Sequence, residues 1–154
     1  MRAKSKVIKA DDTGYAWESV SREEYKGDRS CYKGVHRCSL LGEKADEQQL
    51  NFQTRYFEVE PGGYTSFEYH RHPHSVVIIR GSGTVILGND LHKLHLHDVI
   101  YVTPNTLHQF HADRGEPLGF ICVVDRYRDR PVLADEEYTA RKIQSSEVLE
   151  KIRR

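Results

Sequence analysis

From Asn51 to Val124 the chain is a series of short runs rich in β-branched and aromatic residues, each cut off by glycine, proline or asparagine. Asn51–Val59 alternates, with Arg55, Phe57 and Val59 on one face, and Pro61-Gly62-Gly63 ends it as a turn. Val76-Val77-Ile78-Ile79 is a continuous apolar run, the pattern of a strand covered on both faces. Thr84–Leu87 and Leu91–Leu96 flank Gly88-Asn89-Asp90, a hairpin signal. Val99–Val102, Leu107–His111 and Leu118–Val124 complete the series. Strands this short and this regularly spaced predict an all-β sandwich or barrel rather than helices alternating with strands.

At 154 residues the chain suits a single domain with one core. The barrel is expected over about 35–126. The polar, punctuated stretch 1–34 reads as an extended arm, and only the tail 135–152 reads as helix. Its weak stripe of Ile143, Val148, Leu149 and Ile152 is expected to pack on an outer surface.

The chemistry concentrates in one segment. Glu68 and His70 lie two apart in a strand-like run, so period-two alternation points both side chains the same way, which is what a chelate needs. His74 follows a turn at Pro73, whose missing N–H interrupts regular pairing. His108, in Thr103-Pro104-Asn105-Thr106-Leu107-His108-Gln109-Phe110, has to arrive from elsewhere in the fold. Glu68, His70, His74 and His108 are therefore expected to close around one divalent metal ion. His72 reads as a turn residue at the rim of the pocket, with an ion held by His70, His72 and His74 as the alternative. His36, His92, His95, His97 and His111 read as ordinary polar positions.

The spacing resembles that of the cupin family. Gly62-x5-Glu68-x-His70-x3-His74-x6-Gly81 fits the frame of the first cupin motif without a gap, with the ligand types permuted. Of the second motif only the metal-ligand histidine, His108, is retained. The neighbourhoods Glu60-Pro61-Gly62-Gly63, Arg80-Gly81-Ser82-Gly83 and Asp98–Pro104 resemble small single-domain bacterial cupins, over roughly residues 50 to 125. The resemblance implies a double-stranded β-helix, a jelly roll whose interior holds the metal. It also implies a homodimer.

Imidazole and carboxylate ligands together leave Fe, Mn, Ni, Cu and Zn all open. Glu68 is read first as an anionic ligand and second as a catalytic base. Arg55, on the face that turns inward in related cupins, is a candidate for pairing with a substrate anion; Phe110 and Phe120 are candidates for the apolar walls of a substrate pocket. The resemblance favours a metal-dependent enzyme acting on a small organic molecule, of dioxygenase type. A lyase, isomerase or cyclase using the ion as Lewis acid, and a binding or sensing protein without catalysis, are the alternatives.

Composition narrows the partners. Lys plus Arg and Asp plus Glu number 23 each, which removes the electrostatic case for nucleic acid or an anionic membrane surface. The basic start runs into Asp11-Asp12 without a hydrophobic stretch, and no apolar run approaches the ~20 residues of a membrane helix. A cytoplasmic protein with a small-molecule substrate is expected. Three cysteines without C-x-x-C spacing argue against a disulfide framework or a thiolate zinc site; Cys122, in an apolar run, reads as a small buried hydrophobe.

Overall fold

The computed structural model describes residues 3–154; Met1 and Arg2, the outer end of the arm, lie outside the described residues. Eleven strands follow in order: β1 (Arg22–Glu24), β2 (Lys33–Leu41), β3 (Phe52–Tyr64), β4 (Glu68–Tyr69), β5 (His74–Gly81), β6 (Gly83–Leu87), β7 (Asp90–Leu94), β8 (Val99–Val102), β9 (His108–Ala112), β10 (Leu118–Asp125) and β11 (Val132–Leu133). Two short helices, α1 (Glu136–Lys142) and α2 (Ser146–Lys151), close the chain. The pairings are antiparallel, and the strands curl into a jelly-roll barrel. One wall runs β1-β2-β3-β10-β5-β8; the other runs β7-β6-β9-β4-β11. β3, thirteen residues long, joins them, pairing with β2 and β10 along its length and with β9 at Tyr64.

The hairpin expected at Gly88 is present: Leu87 pairs with Asp90 across Gly88-Asn89, and Gly88 has φ +61°, a conformation in which a missing Cβ removes the steric cost. β5 departs slightly from the doubly covered reading. Val76 and Ile78 are fully buried, whereas Val77 and Ile79 are half-buried. Their outer face is only partly covered, in part by the arm, whose Tyr15 hydroxyl donates to the Ile79 carbonyl.

The arm is more structured than its polar sequence suggests. β1 pairs with β2, and Trp17 packs edge-on against Tyr56, 5.1 Å between ring centres. Inside the barrel Val35, Val59, Val76, Ile78, Val85, Val102 and Leu118 are all at or near zero exposure, each stabilising by about 1.5–3 kcal/mol through burial. An aromatic row continues from the arm into this core: Tyr25 to Phe57 at 5.7 Å, Phe57 to Phe120 at 5.5 Å and Phe120 to Phe110 at 4.6 Å.

The tail is two helices, not one continuous segment. Asp135 caps α1 through the Tyr138 N–H, and the Ser145 side chain caps a new start through the Val148 N–H. Ile143 and Val148 bury against Phe67, Ile86 and Leu107, while Leu149 stays exposed.

Candidate metal centre

Four imidazoles gather in this region: His70 and His72 in the β4–β5 connection, His74 at the start of β5 and His108 at the start of β9. Their ligand atoms form two groups that share His70, one with His72 and His74 and one with Glu68 and His108, each within 4.8 Å. Glu68 on β4 pairs in register with His108 on β9, which brings the distant histidine beside the cluster. The turn before β9 is tied to it as well: the Asn105 N–H donates to the His70 carbonyl at 2.7 Å, with Asn105 in the left-handed region at φ +63°. His70 Nε2 lies 3.2 Å from His108 Nε2, and His72 Nε2 lies 3.2 Å from His74 Nε2. His70 stacks on both His72 (3.7 Å between ring centres) and His74 (4.5 Å).

The outer nitrogens determine what the inner ones can do. His70 Nδ1 is 2.6 Å from the His72 carbonyl, His108 Nδ1 is 2.8 Å from the Thr106 carbonyl, and His72 Nδ1 is 2.9 Å from Asp129 Oδ1. Each of those oxygens only accepts, so Nδ1 carries the proton in all three rings and Nε2 presents a lone pair. Two such lone pairs facing at 3.2 Å repel unless a cation is shared between them. Two nitrogens each about 2.1 Å from one ion stand about 3.0 Å apart at an octahedral angle and about 3.4 Å at a tetrahedral one, so the spacing fits metal ligation. Carbonyl and carboxylate partners on the far nitrogen are the usual way ligating imidazoles are oriented.

The electrostatics agree. Burial, then the neighbouring His108, pushes the His70 imidazole down to about 4. Burial likewise lowers His74, His108 and His72, the last against the opposing pull of Asp129. All four are held in the neutral form that binds metals.

Every residue expected in the ligand set is brought to this place. Glu68, 4% exposed, lies within ligand reach of His70 and His108. Its Oε2 is already engaged by the Lys26 ammonium and by the Ser66 hydroxyl, at 2.6 Å from the latter. Burial alone would raise the Glu68 carboxyl, but Lys26 and His108 keep it below its ordinary value. His72, expected at the rim, is 7% exposed and sits against His70 and His74. Arg55 does turn inward: it is buried, with Nη2 3.5 Å from Cys122 Sγ, which is itself 3.5 Å from His74 Nδ1. Phe110 and Phe120 line the cavity beside the cluster together with Tyr25, Phe57, Thr65 and Cys122.

Lys26, Tyr25 and Asp129 carried no signal, being single polar residues in segments without periodicity. Cys122 is buried as its apolar strand implies, but its inward position on β10, opposite Arg55, makes it part of the cavity wall.

This frame has known relatives. The Cupin domain family model matches residues 55–124. Over 123 residues the chain is 35% identical to 1-methylthio-D-xylulose 5-phosphate methylsulfurylase of Rhodospirillum rubrum, covering 79% of this chain and 76% of that one. The chain belongs to the cupin family. Among solved cupins, a conserved barrel domain protein from Rhodopseudomonas palustris is similar at TM-score 0.79 and 35% identity, covering 88% of this chain and 91% of that one. A cupin 2 domain-containing protein from Halorhodospira halophila gives TM-score 0.74 and 38% identity, covering 97% and 96%. More distant cupins with the same fold include a polyketide cyclase from Streptomyces resistomycificus and an oxalate decarboxylase from B. subtilis, at 18% and 14% identity.

Proposed function

We propose that this cupin is a metal-dependent enzyme that transfers the methylthio group of a methylthio-substituted ketose phosphate, the class of compound named in its Rhodospirillum rubrum relative, to a thiol: the carbon–sulfur bond to the sugar breaks, a disulfide bond to the thiol sulfur forms, and the thiol proton ends on the sugar carbon. The observation that carries the reading is the set of four neutral imidazoles beside a small aromatic cavity. In this reading His70, His72, His74 and His108 hold one divalent ion, and Glu68 stands beside it, bonded to Lys26 and Ser66. A bound ion of this kind supplies Lewis-acid polarisation of a ketone oxygen.

The chain's own residues do the rest. The Phe57, Phe110 and Phe120 faces offer an apolar wall to a thioether and keep water from it. Asp129 and the Thr106 and His72 carbonyls fix the imidazole tautomers before substrate arrives, so no reorganisation is needed at the moment of binding. Dioxygenase chemistry, the first expectation from the family frame, is not the activity in that relative's name.

The test is direct. Protein loaded in turn with Mn, Fe, Ni, Cu or Zn is incubated with 1-methylthio-D-xylulose 5-phosphate and a small thiol as acceptor, and the S-methyl resonance is followed by NMR. Loss of that resonance from the sugar, abolished in His70→Ala, is expected. An unchanged sugar with every metal, accompanied by metal-dependent O2 uptake on an enolisable compound, would return the oxygenase reading to first place.

A further inference from the structure

β2, β3 and β10 lie side by side, and opposed residues of antiparallel strands send their side chains to the same face. Arg55 lies opposite Ser39 on β2 and Cys122 on β10; Phe57 lies opposite Arg37 and Phe120. Arg37, Ser39 and Arg55 therefore share the inner face with the phenylalanines that wall the cavity. Arg128, just past the end of β10, is anchored beside them by the Gln53 Oε1 at 2.6 Å and the Asp125 carbonyl at 3.2 Å, both neutral acceptors.

Arg55, at the centre of this patch, has no carboxylate partner among the described residues. Arg55 is 7% exposed, and its one hydrogen bond among the described residues goes to the Cys122 sulfur. The Arg55 Nε, the Arg37 Nε and the Ser39 hydroxyl are buried without a partner. Among the described residues neither Arg55 nor Arg128 forms an ion pair, and Arg37 has only the exposed Glu23 at 3.3 Å. The Arg55 guanidinium lies over the Phe57 ring, 4.8 Å from its centre, which compensates part of its charge but none of its in-plane N–H donors. Keeping those donors buried and unpaired is unfavourable, so a protein that does so has a use for them. Planar guanidinium forks and a hydroxyl are the donor set that matches a tetrahedral phosphate. The patch also stands in a defined place: the Cys122 sulfur bridges Arg55 and His74 at 3.5 Å to each. A molecule spanning cluster and patch carries its anionic group a few atoms from the end that meets the imidazoles.

We propose that Arg55, Arg128 and Arg37, with the Ser39 hydroxyl, form the binding site for the phosphate monoester of the substrate. The assignment deepens the ketose phosphate reading and rests on it for the identity of the substrate, but phosphate binding itself is measurable without turnover.

Inorganic phosphate is the probe, titrated calorimetrically and by thermal shift into the full chain with and without metal. Wild-type protein should bind it in both states. Arg55→Met and Arg128→Met should each weaken binding by at least tenfold while leaving metal stoichiometry intact. Arg55→Met should also raise the melting temperature in phosphate-free buffer, because it removes an unpaired buried charge, and should lose the stabilisation that phosphate gives the wild type. Phosphate affinity that follows metal content and ignores the arginines would overturn the site. In kinetics, Arg128→Met should raise KM for the phosphorylated ketose and leave an unphosphorylated methylthio ketose unaffected. Arginine-dependent phosphate binding without turnover of the ketose phosphate would keep the anion site and remove the proposed reaction. Turnover with arginine-independent phosphate binding would do the reverse.

Discussion

Asp129 holds His72 twice: its Oδ1 accepts from the His72 backbone N–H at 3.0 Å and stands 2.9 Å from the His72 Nδ1, while its Oδ2 accepts from the Arg71 N–H at 2.9 Å. One carboxylate beyond β10 thereby sets the turn, the ring orientation and the tautomer of a histidine 57 positions earlier. Asp129→Asn keeps the size and weakens all three bonds. Metal affinity, measured by competition with a chelator, should fall about 10- to 100-fold with the barrel still folded. Unchanged affinity would separate His72 from the ion.

The ligand set itself is tested by single alanine replacements at His70, His72, His74 and His108. Each should lower metal stoichiometry or affinity sharply, and Glu68→Ala much less. Loss of metal in Glu68→Ala with full retention in His72→Ala would restore the carboxylate to the ligand set and place His72 outside it.

Lys26 and Glu68 form an ion pair whose acidic member is almost wholly buried. Lys26→Met leaves that carboxylate with only the Ser66 hydroxyl, and metal-free protein should lose about 1–3 kcal/mol of stability in denaturant melts. Adding metal should recover part of that loss, since a nearby cation replaces the missing charge. No recovery would mean that Glu68 does not feel the ion.

Acid should destabilise the metal-free protein in a definite window. Burial holds His70 down at about 4 and His111 at about 3, whereas an unfolded histidine takes its proton near ~6.5. Between those values the unfolded chain binds more protons, so stability is complete above ~6.5 and is lost as pH falls toward 4 and then 3. Saturating metal should delay the onset. A melting temperature that is flat from pH 7 to pH 4 without metal would contradict the burial of these rings.

The two glycines that bracket the first motif should behave differently. A Cβ at Gly81 would stand 1.7 Å from the Pro117 carbonyl oxygen, with φ at +66°; Gly62, at φ +73°, has nothing nearer than the Arg114 Cγ at 3.9 Å. Gly62→Ala should cost about 1–2 kcal/mol, the left-handed penalty alone. Gly81→Ala should cost clearly more, because backbone must move. Equal losses in melting experiments would show that the contact with Pro117 is not tight.

The barrel is legible because its strands announce themselves by alternation: period two alone puts Arg55, Phe57 and Val59 on one face, and the register opposite Cys122, Phe120 and Leu118 places them on the inner one, although Tyr56 and Glu58 between them are buried as well. His72, read from sequence as a rim residue with a place beside His70 and His74 as the alternative, is 7% exposed, and the reason alternation does not show this is physical. It sits in a turn, where no periodicity gives direction, and its inward pose depends on Asp129, a residue remote in sequence. Lys26 was unreadable for the same reason, since its ion pair with Glu68 closes across 42 positions. The break in the tail was readable in Ser145, a capping residue that a weak apolar stripe outweighed.

The two-residue β4 carries Glu68 and leads into the histidine-bearing connection, while the thirteen-residue β3 is hydrogen-bonded to both walls. Exchange of amide protons should therefore be graded. Amides of Gln53–Val59 and Leu118–Val124 can open only when the whole barrel opens, whereas β4 and its equally short partner β11 can part on their own. The segment that carries Glu68, His70 and His72 is thus the one whose opening is separable from unfolding of the barrel.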